Sequence, residues 1–146
     1  MSGLKIYPVK YADDPNIQNI RYTVFQVEQG VDAALEFDGK DAECEHLIAY
    51  QNNTAVGTTR LRKLNPTTLK IERLAVIPSA RKQGVGTALM EAAIQWGRDR
   101  GYTRITLNAQ SYIQSLYRKL GFEPVGEEFL EAGIVHIKMS QILPKP

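Results

Sequence analysis

A basic turn containing two glycines is the feature of this sequence with the clearest chemical meaning. It reads Arg81-Lys82-Gln83-Gly84-Val85-Gly86-Thr87, and it lies between an apolar strand-like run and a segment with helical periodicity. Glycine lets the backbone approach a bulky anion, and the free N–H groups of a helix's first turn attract negative charge. Arg81 and Lys82 add positive charge beside it. The turn therefore predicts a phosphate or pyrophosphate site.

Two nucleotide-binding motifs do not fit this turn. A Walker loop requires a lysine between its glycine and Ser/Thr, whereas Gly86 is followed directly by Thr87. A dinucleotide fingerprint requires a third glycine where Leu89 stands, and an acidic residue near the end of the next strand, where Leu107 and Asn108 stand. The alternative that stays open is that the glycines only permit a tight strand-to-helix connection.

Composition narrows the class of protein. The chain has 146 residues, 43% hydrophobic and 23% charged, with a formal net charge of +2, which is typical of one globular domain, predicted here over residues 1–146. So small a charge disfavours nucleic-acid binding. Without an apolar run of membrane-spanning length or a secretory signal, we expect a cytoplasmic protein that does not bind membranes. Cys44 is the only cysteine, so an intramolecular disulfide is excluded.

The turn must be held by a mixed α/β framework. Periodicity and turn residues predict helices over residues 15–29, 84–100 and 112–120, and strands over residues 4–9, 46–50, 55–62, 68–77, 103–107, 122–125 and 133–139. Ile17, Ile20, Val24 and Val27 form the apolar stripe of the first helix. Residues 31–44 are predicted to be a loop. This order gives a mixed sheet with helices on its faces.

Two motifs make the sequence similar to a known superfamily. Arg81-x-x-Gly84-x-Gly86 between a strand and a helix resembles the acetyl-coenzyme A signature of the GNAT N-acetyltransferases. Ser115-Leu116-Tyr117-Arg118-Lys119-Leu120-Gly121-Phe122 resembles their late helix and the strand after it. Stretches around residues 27–31, 35–41, 107–110 and 127–134 are similar to the YjcF-like and ElaA-like bacterial members. The resemblance implies a single GNAT domain with a sheet of six to seven mostly antiparallel strands and about four helices on its faces. The sheet would splay apart between the fourth and fifth strands. The resemblance also implies a homodimer.

The resemblance also implies where acetyl-CoA lies. Main-chain N–H groups of residues 83–87 would hold the pyrophosphate, with Arg81 and Lys82 approaching the phosphates from outside. Leu74, Ala75 and Val76 would border the pantetheine arm and the thioester, and Asn108 and Ala109 would form the opposite wall.

Acetyl transfer to an amine requires a proton for the leaving thiolate and a route for the amine's own proton. By resemblance, the Tyr117 phenol donates to the sulfur, although a tyrosine merely packed on the sheet is the alternative. Glu72, on the fourth strand, is predicted to be the base. A salt bridge of Glu72, or deprotonation through water, stays open as the alternative.

Acidic residues and one histidine are the candidates for binding the acceptor amine. They are Glu28, Glu36, Asp38, Glu128 and His136, each of which has an ordinary surface or packing role as its alternative. No metal site is predicted. The predicted reaction is direct attack by a primary amine in a ternary complex, because no Cys or Ser constellation indicates an acetyl-enzyme. The alternative function is a non-catalytic module or sensor that binds CoA or acyl-CoA.

Overall fold

A computed structural model describes residues 3–144; residues 1–2 and 145–146, at the two ends of the predicted domain, lie outside it. The strands are β1 Leu4–Val9, β2 Glu45–Gln51, β3 Thr54–Asn65, β4 Thr68–Val76, β5 Arg104–Gln110, β6 Glu123–Glu131 and β7 Ile134–Ile142. The α-helices are α1 Asn16–Arg21, α2 Ala33–Glu36, α3 Val85–Asp99 and α4 Gln114–Lys119. No helix within residues 3–144 is both long and apolar enough to cross a membrane.

The seven strands form one sheet in the order β1-β2-β3-β4-β5-β7-β6. Every neighbouring pair is antiparallel except β4 and β5, which are parallel. The predicted mixed α/β sheet is therefore confirmed. Pro8 lies on the edge strand β1, where its missing N–H removes no bond from the sheet interior.

Helices cover both faces of the sheet. Adjacent residues of β2 point to opposite faces, so Leu47 joins the core beneath α3 while Ile48 joins the cluster beneath α1. α3 contributes Leu89, Met90 and Ala93, all buried, to the larger core. The connection that contains the glycine turn is held at both ends by apolar packing. At its start Ala75 is buried beneath α1, and at its end Val85 is buried in the core beneath α3.

The first predicted helix changes its geometry part-way. After α1 the chain continues as a π-helical segment, Tyr22–Glu28, and the N–H of Gln29 donates to the carbonyl of Val24, five residues back. The added residue in such a turn rotates the following side chains by about 100°. Consequently Val24 and Phe25 are buried while Val27, predicted to lie on the apolar stripe, is 66% exposed. The prediction for Val27 was wrong.

The loop and the last two strands also differ in detail from prediction. The segment 31–44 contains α2 and one 3-10 turn, Asp41–Glu43, rather than loop alone. β6 continues to Glu131, six residues beyond the predicted end at residue 125. Its side chains are mostly exposed, so its sequence lacks the apolar alternation that marks a half-buried strand.

The π-helical geometry predicts a contrast between two identical substitutions. Val24→Ala removes buried methyl groups and should lower the free energy of unfolding by about 2 kcal/mol. Val27→Ala removes exposed ones and should change it by less than about 0.5 kcal/mol. Urea denaturation of both variants measures the contrast, and equal losses would contradict the π-helical assignment.

Candidate active site

A cleft opens where β4 and β5 separate. The two strands pair only through Thr68–Arg104, Leu69–Ile105 and Lys70–Thr106. Beyond these pairs β4 continues to Val76 beside β3, and β5 continues to Gln110 beside β7. The edge of β4 facing β5 therefore has no strand partner after Lys70. The resulting cavity has a volume of about 1090 Å³.

A bulge in β4 shapes one wall of this cleft. Arg73 has a φ of 55°, and the register with β3 shifts there, so that Arg73 and Leu74 together stand opposite Thr59. The Thr59 hydroxyl donates to the carbonyl of Glu72 at 2.9 Å. A bulge twists its strand and redirects the following side chains. The sequence does not predict this bulge, because an arginine carries no signal for a positive φ.

Helix α3 begins at the cleft with the glycine turn. Lys82 and Gly84 have φ values of 63° and 82°, which turn the chain sharply, and Gly84 caps the helix without a side-chain hydrogen bond. Gly84, Val85, Gly86 and Thr87 line the cleft together with Lys82. The Gln83 side chain instead donates to the Ser79 carbonyl at 3.3 Å, and Gln83 does not line the cleft.

Packing alone does not require a glycine at position 86. A Cβ added to Gly86 would meet one atom, Cγ2 of Val76, at a comfortable 3.8 Å. The contrast is Gly57 on β3, where a Cβ would lie 2.9 Å from Leu89 and 3.1 Å from a backbone oxygen. A glycine inside a helix costs stability relative to alanine. The absent side chain at position 86 leaves the cleft wall open, which favours a bound group over a tight connection as its reason.

Arg81 is oriented differently from the predicted approach to phosphates. Its Nε donates to the Val76 carbonyl at 3.0 Å, and its two terminal nitrogens pair with the Glu28 carboxylate at the end of the π-helical segment. This hydrogen-bonded pair lowers the pKa of Glu28 and raises that of Arg81. Glu28, predicted to bind the acceptor amine, is instead paired with Arg81, and the Val76 carbonyl already accepts a hydrogen bond from the same arginine.

Glu72 is not placed to act as a base. Its carboxylate, buried on β4, accepts from Arg60 and Arg62 and lies 3.3 Å from Lys70. Burial alone would raise its pKa, but the bonds from Arg62 and Arg60 outweigh that effect and lower it to about 2. A carboxylate that holds its proton so weakly does not remove one from an ammonium group. The hypothesis of a Glu72 base is corrected to its alternative, a salt bridge.

Two predicted acceptor acids belong to the same buried charge cluster. Arg21 and Arg60 have side chains only 1% exposed. Arg21 donates to Glu36 and Asp41 at 2.6 Å, and Arg60 donates to Asp38 at 2.8 Å and to Asp41 at 3.1 Å. The bonds from Arg60 hold the pKa of Asp38 well below its usual range. Glu36 and Asp38 are therefore counterions that connect the segment 31–44 to Arg21 of α1 and Arg60 of β3, which corrects their predicted role.

Tyr117 projects from α4 to the inner part of the cleft. Its ring packs edge-on against Phe122, with centroids 6.3 Å apart, and it is 6% exposed. Burial, with a smaller effect of Tyr112, raises the pKa of Tyr117 to about 12. The hydroxyl is therefore protonated at neutral pH, and it donates to no other residue within the described part of the chain.

The wall opposite β4 consists of β5 and β7. Asn108 and Gln110 of β5, with Ile134 and His136 of β7 and Glu131 of β6, line the cleft. Ala109 alternates to the other face and is buried in the α3 core, so its predicted place on the wall was wrong. Glu128 is exposed on β6 and is not among the lining residues. Within residues 3–144 no group of three or more acidic, His or Cys side chains is arranged to hold a metal.

Comparison with known proteins gives the family. The family model described as an acetyltransferase (GNAT) domain matches residues 11–143. The chain belongs to the GNAT acetyltransferases. YjcF of Bacillus subtilis, named an uncharacterized N-acetyltransferase, is 38% identical over 121 residues, covering 82% of this chain and 86% of that protein. ElaA of Escherichia coli is 31% identical over 129 residues, covering 84% and 82%.

Solved structures agree with this assignment. An acyl-CoA N-acyltransferase from Pseudomonas aeruginosa superposes with a TM-score of 0.83 at 30% identity, over 94% of this chain and 99% of that one. A GNAT acetyltransferase from Elizabethkingia anophelis with acetyl-CoA bound has the same fold, with a TM-score of 0.78 at 20% identity, over 98% and 100%. The resemblance inferred from two motifs is confirmed, and the protein is a GNAT acetyltransferase.

Replacement of Gly86 by alanine is expected to have opposite effects on the stability of the fold and on acetyl-CoA binding. Gly86→Ala should raise the free energy of unfolding, by up to about 1 kcal/mol, because alanine favours the helix and its methyl group has room. The same methyl group narrows the approach to the helix N-terminus and should weaken acetyl-CoA binding at least about tenfold. Calorimetric titration and thermal denaturation measure the two effects. A variant that is more stable and binds equally well would show that the glycine serves the connection alone.

The Glu72 ion pairs predict a loss of stability in acid. Since the pKa of Glu72 is about 2 in the folded protein against 4.5 as its ordinary value, its contribution is complete above pH 4.5 and disappears as the pH falls toward 2. Glu72→Gln leaves Arg60 without one of its counterions and should cost about 3 kcal/mol at pH 7. The difference from wild type should shrink between about pH 4.5 and 2. Denaturation at several pH values tests this, and a pH-independent difference would contradict it.

Proposed function

We propose that this acetyltransferase transfers the acetyl group of acetyl-CoA to a primary amine by direct attack in a ternary complex, and that Tyr117 protonates the leaving thiolate. The observation that carries the proposal is the Tyr117 hydroxyl, which lines the cleft, is protonated at neutral pH and donates to no other described residue. A hydroxyl that faces the cleft and has no protein partner is available to a substrate atom.

In this proposal the glycine turn binds the pyrophosphate. The free N–H groups at the start of α3, from Gly84 to Thr87, donate to phosphate oxygens, and Lys82 adds its charge. Arg81 contributes indirectly, because its guanidinium joins Glu28 to the Val76 carbonyl and so connects the π-helical segment to β4. The pantetheine arm runs along the unpaired edge of β4 beside Leu74, Ala75 and Val76, opposite Asn108.

The bond changes require two proton movements. The amine lone pair forms a bond to the acetyl carbon, the carbon–sulfur bond breaks, and the sulfur leaves as thiolate. Tyr117 donates its phenolic proton to that sulfur, and the proton lost from the nitrogen on amide formation replaces it. An amine that enters as ammonium loses one further proton before attack. The overall products are an amide, free CoA and one proton.

Thiol release separates the transferase from the alternative of a binding module. Wild type mixed with acetyl-CoA and a panel containing an amino sugar, a polyamine, an arylalkylamine and a lysine peptide should release CoA with at least one amine. Tyr117→Phe keeps the ring against Phe122 and removes only the hydroxyl, so kcat should fall about 10²-fold while the Kd for acetyl-CoA is unchanged.

Tyr102→Phe is the matched control, because Tyr102 stacks on Trp96 and does not line the cleft. An unchanged kcat in Tyr117→Phe would overturn the role of the tyrosine. Tight acetyl-CoA binding by wild type without release for any amine would favour the binding module.

A further inference from the structure

The proposed reaction requires a group that accepts a proton from the amine, and Glu72 is already held in ion pairs with Arg60, Arg62 and Lys70. A primary alkylamine is protonated near neutral pH, and its ammonium form has no lone pair with which to attack. Either a side chain or a chain of water molecules must accept that proton. A side chain suited to this role lines the cleft and carries a lone pair that no protein donor already uses.

His136 satisfies these conditions. It is paired with Gln110 across β5 and β7, lines the cleft and is only 7% exposed. Its Nδ1 lies 2.7 Å from the carbonyl oxygen of Ile134. Because a carbonyl only accepts hydrogen bonds, Nδ1 carries the hydrogen of the neutral ring. The lone pair of neutral His136 is therefore on Nε2.

Glu131 provides a negative charge beside that nitrogen. Oε2 of Glu131 lies 3.6 Å from Nε2 of His136, and the amide of Asn108 donates to the other carboxylate oxygen at 3.4 Å. The Phe129 ring stacks on the imidazole, with centroids 6.0 Å apart and planes at 25°. The Ile134 carbonyl and the Phe129 ring thus orient the imidazole, and the Glu131 carboxylate is in place to stabilise the imidazolium.

The other titratable groups around the same cleft leave this pair without a strong competitor. Among the other acids that line the cleft, Glu28 is paired with Arg81, Glu36 with Arg21, and Glu72 with Arg60. The side of α4 contributes Tyr112 and Tyr117, and the glycine turn contributes Lys82. His46, the other histidine, lies outside the cleft with Nε2 3.0 Å from the Asp41 carbonyl.

We propose that Nε2 of His136 is the general base that removes the proton from the acceptor ammonium, with Glu131 as its positioning residue. The inference rests on the proposed function and assigns the proton route that it left open. The ammonium N–H bond breaks, its electron pair stays on nitrogen for attack on the thioester, and the proton becomes the Nε2–H of the imidazolium. Deprotonation of His136 to solvent completes the turnover.

His136→Asn is the sharpest test of this role. The Asn amide nitrogen takes the place of Nδ1 and can donate to the Ile134 carbonyl, while the proton-accepting nitrogen is lost. Using an amine that the wild type acetylates, kcat should fall about 10²-fold, and the decline of wild-type kcat toward low pH should be absent. His136→Gln is the second variant, and the melting temperature and the Kd for acetyl-CoA confirm that each variant is folded.

Glu131→Gln tests the positioning role. It should lower kcat on the order of tenfold, with the KM for the amine nearly unchanged, because the carboxylate acts on the imidazolium rather than on the substrate. Glu127→Gln, an exposed residue of the same strand outside the cleft, is the matched control and should behave as wild type.

The outcomes separate the two proposals. If folded His136→Asn and His136→Gln keep the wild-type kcat and pH profile, the base assignment is wrong while the transferase stands. If Glu131→Gln raises KM instead of lowering kcat, Glu131 binds substrate and is not a positioning residue. If the wild type acetylates no amine although it binds acetyl-CoA, the proposed function fails, and the assignment of a base fails with it.

Discussion

The burial of two arginines is the constraint on which one side of the cleft depends. A guanidinium removed from water is tolerated only when carboxylates and carbonyls meet its donors, so Arg21 and Arg60 require acids from several segments at once. Glu36, Asp38 and Asp41 come from the segment 31–44, and Glu72 comes from β4. These bonds draw an otherwise irregular segment against the sheet beside the bulge at Arg73, which itself donates to the Glu36 carbonyl. Charge pairing therefore holds this wall together with the apolar packing of β4.

In the glycine turn, some stability of helix α3 is lost and a ligand gains access to the helix N-terminus. Gly57 on β3, which packs against α3, has no room for a methyl group, whereas Gly86 has room and still lacks one. Gly86 therefore lowers the stability of the helix and leaves the cleft wall open. The core beneath α3, to which Val85, Leu89 and Met90 contribute, holds the N-terminal end of the helix in place despite this loss.

Local patterns and motif spacing predicted the framework of this protein well. The glycine turn, the α3 helix and most of the strands follow from signals carried by adjacent residues, whereas the splay between β4 and β5 and the place of Tyr117 in the cleft were expected from the family resemblance. What the sequence did not disclose depends on three-dimensional pairing. The sequence around Glu72, Glu36 and Asp38 does not show whether each acid is a base, an amine ligand or a counterion. The buried arginines that make them counterions lie on other elements of the fold. The π-helical turn and the bulge at Arg73 are likewise invisible, since tertiary packing imposes them on residues without special backbone preferences.

In the proposed reaction the proton donor and the proton acceptor have different surroundings. Tyr117 lies on the apolar side, where burial strengthens its hold on a proton and suits it to donate. His136 lies among polar side chains of β5, β6 and β7, where a carboxylate and a carbonyl orient it and stabilise a positive charge. A thioester along the edge of β4 would have a donor near its sulfur, and an amine approaching from β7 would meet an acceptor. The divergence of β4 and β5 opens the space that the thioester and the amine of the proposed reaction require.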